Sequence, residues 1–381
     1  MSKIFNRMDK ILLITTLFMF LFGLFMIFDA SSMKSFFETG HDTYYFSKQL
    51  AIIVISFFLS GIIFFFPTKR YKKYVLPGSI ALIILLIFLL VSGDKVNGAK
   101  SWIDLGPLSI QPSEFAKLAT ILFSALYYKS NARYLKTFVT VLPPLGVGAM
   151  FTGLTLLQPD GGTGIILFVL TMALFYLSPA TKKVKMQITL ILLSLIVLML
   201  LVVTISGKSI FSKTQLDRFN FLNPCSRYQE STGYQVCNGY IAINNGKLFS
   251  ISPGNSLQKF LYLPEAHTDF IFPIIVEEFG LISGIFLILM YMVIIYRIYY
   301  QGKRSNNIAN SLICYGVALY IFLHVTINLV GVLGILPLTG VPLPFLSYGG
   351  SFALTLAVSL SIVERISVET HNEEARRALG N

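Results

Sequence analysis

The stretch ILLITTLFMFLFGLFMIF, residues 11–28, contains no charged residue and no proline. Roughly 20 such residues in a helix cross the hydrocarbon core of a bilayer, so this stretch reads as a transmembrane span. It is longer than the apolar core of a signal peptide, which makes it an uncleaved first span. Further runs of the same kind lie near 50–66, 75–92, 113–128, 137–157, 164–179, 187–205, 279–299, 309–330 and 351–366. The expected fold is an all-α integral membrane protein. It has ten transmembrane helices, one long extracellular loop at about 206–268, and a single polytopic membrane domain over 1–381.

Composition agrees with these runs. The chain of 381 residues is 55% hydrophobic and 13% charged, with a mean hydropathy of +0.72. Soluble domains carry about 25% charged residues, so a soluble protein is excluded. Charge placement orients the spans. Nineteen of the 30 Lys and Arg fall in segments that share one side, among them Lys69, Arg70, Lys72 and Lys73, and Arg297, Lys303 and Arg304. Two loops of the other side, 29–49 and 93–112, hold only Lys34, Lys48, Lys95 and Lys100. Short cytoplasmic loops concentrate Lys and Arg, which places both termini in the cytoplasm. The net charge of +12 is mostly this topological signal, and no basic stripe with interleaved aromatics points to nucleic acid.

The segment 206–268 is polar and carries Lys208, Lys213, Arg218, Arg227, Lys247 and Lys259 against few acids. Phe219, Phe221, Tyr228, Tyr234 and Tyr240 point to an ordered, partly membrane-lying structure. Its positive charge suits either lipid headgroups or an anionic ligand such as a lipid pyrophosphate. Cys225 and Cys237 share this outer loop, where a disulfide is permitted. Their spacing is compatible with a bridge but leaves the pairing open.

Four polar clusters lie at the outer ends of spans. AKSWIDLGPLSIQPSEFAKL (99–118) contains Trp102, Gln111 and Ser113, with Pro112 suited to a first helical turn. Its Glu114 and Lys117 are three residues apart on one helix face, either as a local ion pair or as the wall of a polar cavity. LLQPDGGTG (156–164) offers Gln158, Asp160 and Thr163, either as a tight turn or as part of a site. LPEAHTDFIFPIIVEEFG (263–280) gathers Glu265, His267, Thr268, Asp269, Glu277 and Glu278 in a chain with only 18 acidic residues and 4 histidines. Asp269 reads as a base at the membrane edge or as the cap of a helix beginning at Phe270. GILPLTGVPLPFLSYGGS (334–351) has three prolines and four glycines, with Ser347, Gly349, Gly350 and Ser351 at its end. Irregular backbone at membrane depth survives only where protein or a water-filled cavity covers it. Walker loops, dinucleotide fingerprints, HExxH and zinc-type Cys/His spacings are all absent from the sequence.

Together with STGYQVCNGYIAINNGKLF (231–249), these stretches resemble the SEDS family of shape, elongation, division and sporulation proteins. They follow the family order over nearly the whole chain. The form NSLQKFLYLPEAHTDFIF is more similar to the division branch than to the elongation branch, whereas CSRYQESTGYQVC and LFSISPGNS depart from the family pattern. The resemblance implies a peptidoglycan glycosyltransferase polymerising lipid II, an undecaprenyl-pyrophosphate-linked disaccharide pentapeptide, at the outer face of a bacterial cytoplasmic membrane during septal wall synthesis. It implies a class B penicillin-binding protein and other divisome membrane proteins as partners, and it places the family's essential aspartate on Asp269. Extending a glycan needs a general base and positive charge or a metal on the leaving pyrophosphate. Lys117, Lys259 and neighbouring loop cations are the candidates for the pyrophosphate; a divalent cation there is compatible, although no ligand set marks one. A lipid II flippase, the elongation polymerase of the same family and an inactive divisome scaffold are the competing readings.

Overall fold

A computed structural model describes residues 6–96, 99–104, 106, 109–206, 223–227, 229, 231–250 and 252–379. Lys208, Lys213, Arg218, Phe219, Phe221 and Tyr228 of the long loop lie outside the described residues. The helices are α1 (Lys10–Thr39), α2 (Tyr44–Phe65), α3 (Tyr71–Ser92), α4 (Pro112–Ser130), α5 (Phe138–Leu157), α6 (Gly161–Leu177) and α7 (Lys182–Ser206). They continue as α8 (Ser231–Gly246), α9 (Ile271–Arg304), α10 (Ile308–Val332) and α11 (Gly350–Ala378). Each of the ten expected spans falls on one of these helices. Eight are long and apolar enough to cross a membrane among the described residues. α6 is shorter, with 17 residues, and α4 carries Glu114 and Lys117 in its first turns. The chain is a helical membrane protein.

Three local differences from the sequence reading have physical causes. α1 runs on to Thr39 because residues 29–39 contain neither proline nor glycine, so most of the expected 29–49 loop is helical. The expected 93–112 loop holds a small antiparallel sheet, β1 (Asp94–Val96), β2 (Ala99–Asp104) and β3 (Ser109–Ile110), in the order β1-β2-β3. α9 begins at Ile271 but turns at Gly280, whose φ of 80° and ψ of 168° interrupt the helix. A Cβ there would lie 2.6 Å from the Leu248 carbonyl oxygen, so only glycine fits this close approach. The run expected to start at 279 is therefore the part of α9 beyond the kink. The preceding turns, 271–279, carry the buried Glu277 and Glu278.

Inside the long loop, α8 packs along α9, and Cys225 and Cys237 are disulfide-bonded with Cα atoms 4.9 Å apart. The proline- and glycine-rich segment 333–349 is not helical. Its Leu343, Phe345 and Leu346 are buried in the bundle core, where Phe345 meets Phe20 of α1 edge-on at 5.0 Å. Tyr291 of α9 donates its hydroxyl to the Pro344 carbonyl. Protein covers the part of this irregular backbone at 343–347, whereas Gly340 is exposed.

Polar contacts divide the bundle into two ends. At one, Asp9 caps α1 at Leu12 N (3.1 Å), receives Arg297 Nη2 at 2.8 Å and accepts from Gln301 Nε2 at 2.6 Å. Thr68 bonds Glu369, and Arg304 pairs with Glu374 near by. All four polar clusters meet at the other end.

Candidate active site

Asp269 lies in the turn before α9, not at its cap. The N-cap position is Phe270, and no side chain caps the helix there. The residue is instead held by its main chain: Asn328 Nδ2 of α10 donates to the Asp269 carbonyl at 2.8 Å and to the Val341 carbonyl at 2.9 Å. Neighbouring residues are tied to the 333–349 segment. Ser347 Oγ donates to the Thr268 carbonyl (2.5 Å), and Tyr348 N donates to the His267 carbonyl (2.8 Å). Thr268 Oγ1 donates to Glu265 Oε2 at 2.6 Å and lies 3.3 Å from Asp269 Oδ1.

Electrostatics follow from this burial. Only 7% of Asp269 is exposed. Desolvation first, and the Glu265 carboxylate second, push its carboxyl up to about 7, against hydrogen bonds from its own backbone and Thr268. Beyond the carboxylate lies Gly340, an exposed residue with φ 68°. A Cβ placed on Gly340 would be 4.0 Å from Asp269 Oδ2, with no other heavy atom that close apart from its own chain neighbours. The carboxylate therefore faces the exposed backbone of Gly340. His267 packs its ring against Tyr45 and Tyr348 at 4.8 and 5.6 Å. Burial, then Lys34, push its imidazole down to about 3, leaving a neutral ring.

Lys117 and Glu114 form an ion pair at 2.7 Å and are almost wholly excluded from solvent. Their setting is more enclosed than a cavity wall. Lys117 Nζ also lies 2.9 Å from His324 Nε2, and the other nitrogen of that ring faces the Pro342 carbonyl at 3.3 Å. His324 and Asn328 thus stand one turn apart on α10, and both hold the segment that faces Asp269. Sequence reasoning missed both. Their signal was two polar residues at i,i+4 within HVTIN, inside an otherwise apolar span.

The remaining candidates divide between bracing and access. Asp160 caps α6 through Thr163 N (3.1 Å) and accepts from Gln111 Nε2 (3.0 Å). Gln111 N donates to Ser351 Oγ (2.8 Å), and Gly349 N to Gln49 Oε1 (3.2 Å), just before Gly350 opens α11. Gln158 is fully buried on the Leu86 carbonyl (3.0 Å), Ser113 is buried in the first turn of α4, and Trp102 lies half-buried on β2. Lys259 is committed to Asp29 and Glu278, both at 2.7 Å. Burial opposes its charge, but these two carboxylates outweigh that and raise its pKa. Glu277 accepts from Asn245 (2.9 Å) and Ser256, so both glutamates brace the loop against α9. Beside them a cavity of about 240 Å³ opens between α1 and the 259–267 segment, with Lys34, Glu38 and His267 in its lining.

Among the described residues no group of three His, Cys, Asp or Glu side chains converges as a metal cage. Asp269 and Glu265 flank Thr268 as two carboxylates only, short of the oxygen set a hard cation takes from protein alone.

The fold and its relatives agree. The family model described as "Cell cycle protein", covering FtsW, RodA and SpoVE, matches residues 9–372. The chain is 36% identical over 375 residues to a probable peptidoglycan glycosyltransferase FtsW of Coxiella burnetii, covering 96% of this chain and 97% of that one. It is 31% identical to the protein of the same name from Bacillus subtilis, covering 99% and 94%. Among solved structures it superposes on a chain from a study of polymerization and crosslinking by a peptidoglycan synthase complex, with TM-score 0.74, 22% identity and 96% and 98% coverage. It also superposes on the rod shape determining protein RodA of Thermus thermophilus, with TM-score 0.66, 23% identity and 94% and 96% coverage. The chain belongs to the FtsW/RodA/SpoVE family of cell cycle proteins.

Proposed function

We propose that this protein is a peptidoglycan glycosyltransferase that polymerises lipid II at the outer face of the bacterial cytoplasmic membrane, in septal wall synthesis. The observation that carries the proposal is Asp269: a buried carboxylate, pushed up to about 7 by its surroundings and facing bare backbone at Gly340. A general base works best with a pKa near the operating pH. The names carried by the relatives from Coxiella burnetii and Bacillus subtilis support the division branch. Lys and Arg gathered at the far end of the bundle support an outward-facing site and cytoplasmic termini.

In the reaction, the 4-hydroxyl of the acceptor sugar attacks the anomeric carbon of the donor. The new glycosidic C–O bond forms as the bond from that carbon to the pyrophosphate oxygen breaks, and undecaprenyl pyrophosphate leaves with the electron pair. Asp269 takes the hydroxyl proton. Thr268 and Glu265 orient the carboxylate, and the neutral His267 shapes the approach. Lys117 and Lys259 are each already neutralised by a carboxylate, so Lys34, which donates to the Pro264 carbonyl at 3.2 Å beside the cavity, becomes the better-placed candidate cation for the pyrophosphate. A class B penicillin-binding protein supplies crosslinking, with other divisome membrane proteins around the pair.

The test is purified protein with its penicillin-binding partner and labelled lipid II. Asp269→Asn keeps the side chain's size but cannot accept the proton, so a folded variant loses polymerisation by at least the roughly 10²-fold typical of a removed base. Near wild-type polymerisation by that variant refutes the mechanism. Lipid II transport across vesicles without glycan chains would favour a flippase.

A further inference from the structure

Asn328 occupies a position that stability alone does not explain. It is 4% exposed on α10, and its Oδ1 is buried without a hydrogen-bond partner. An unpaired buried acceptor is unfavourable, and an apolar residue of the same shape would avoid it. What the side chain does provide is one NH2 group shared by two carbonyls: Asp269 O at 2.8 Å and Val341 O at 2.9 Å. Both neighbours are acceptors, so only the amide nitrogen can face them.

The two carbonyls belong to the two walls of the proposed site. One is the backbone of Asp269 itself; the other adjoins Gly340, across from the Asp269 carboxylate. No backbone hydrogen bond joins residue 269 to residue 341 directly. The flanking ties, Ser347 to Thr268 and Tyr348 to His267, hold the preceding residues against the far end of the same segment. Asn328 supplies the tie at the aspartate.

We propose that Asn328 is a positioning residue: its amide clamps the Asp269 and Val341 backbones together and so fixes the gap between the Asp269 carboxylate and Gly340 into which the acceptor hydroxyl comes. This rests on the glycosyltransferase reading above. A base displaced by about 1 Å loses on the order of 10²-fold in rate, whereas binding of the lipid-anchored substrate is spread over surfaces the amide does not touch.

The experiment uses the full-length protein with its penicillin-binding partner and lipid II, comparing Asn328→Leu and Asn328→Asp with wild type and Asp269→Asn. Both Asn328 variants keep the side chain's shape and lose the NH2; two are made so that a folding failure in one leaves the other. Expected is a fall in kcat on the order of 10²-fold with KM for lipid II within a few-fold of wild type. Amide hydrogen exchange should rise in residues 265–270 and 339–348. Wild-type kcat in a folded Asn328 variant, a loss confined to KM, or unchanged exchange in those two segments overturns the clamp. The two failures are distinguishable. An active Asp269→Asn protein removes the base assignment, whereas an inactive Asp269→Asn protein beside an Asn328→Leu protein of wild-type kcat removes only the clamp.

Discussion

Lys117 Nζ lies 2.9 Å from His324 Nε2. An ammonium has hydrogens and no acceptor, so Nε2 must be the bare nitrogen of a neutral ring, and Nδ1–H points to the Pro342 carbonyl. A charge pair in the bundle core is thereby wired to the irregular segment that faces Asp269.

The wiring sets the cost of breaking the pair. Removing one partner of a buried ion pair destabilises by about 3–5 kcal/mol, while replacing both is often close to neutral. Lys117→Met and Glu114→Gln should therefore each lower thermal stability in detergent, and the double variant should recover much of the loss. A double variant no more stable than the worse single one would refute this coupling. Lys117→Met also removes the proton donor that faces His324 Nε2, so its exchange protection should fall in 339–348.

Much of this arrangement was legible in the sequence, for identifiable reasons. Each expected span falls on a helix, and eight of these helices among the described residues are long and apolar enough to cross a membrane, because a bilayer span leaves little freedom in composition. The four polar clusters announced one end of the bundle, because charge at membrane depth is unfavourable without a purpose. The proline- and glycine-rich stretch at 334–351 announced irregular backbone, and the chain is non-helical over 333–349. What remained hidden was partnership. Lys259 read as a candidate cation because, of the two carboxylates that neutralise it, Asp29 is 230 positions away and inside an expected loop that proved helical. Asn328 and His324 escaped the sequence reading, because Asn328 bonds backbone carbonyls, which no sequence pattern records, and His324 meets Lys117, 207 positions away.

Membrane orientation has a direct test. Asp42 is exposed at the end bearing the polar clusters, and Lys183 is exposed in the first turn of α7 at the other. In intact cells an impermeant maleimide should label Asp42→Cys and leave Lys183→Cys untouched until the membrane is opened. The reverse pattern would turn the site toward the cytoplasm and end the polymerase reading.

Gly340 tests the open face of the carboxylate. At φ 68° an alanine is strained by roughly 1–2 kcal/mol, and its methyl would stand about 4 Å from Asp269 Oδ2, in the space proposed for the acceptor hydroxyl. Gly340→Ala should lose activity well beyond what its modest fall in thermal stability accounts for. Equal, small losses in both would show that nothing approaches Asp269 from that side.

The pH profile of polymerisation tests Asp269 without removing it. Its carboxyl is raised to about 7, mainly by burial and secondly by Glu265. A base works only when deprotonated, so activity should be low in acid and rise with pH through about 7. His267, held down near 3 by burial and Lys34, stays neutral across that window and contributes no limb. Glu265→Gln keeps an oxygen for the Thr268 hydroxyl but deletes the like charge, so the Asp269 pKa should fall and the limb should move toward acid. Burial is the larger cause and remains, so the limb should stay well above an ordinary aspartate's value of about 3.9. Parallel titrations of kcat in wild type and Glu265→Gln decide it. A limb that stays put, or moves toward base, would mean that the group controlling polymerisation is not the carboxylate of Asp269.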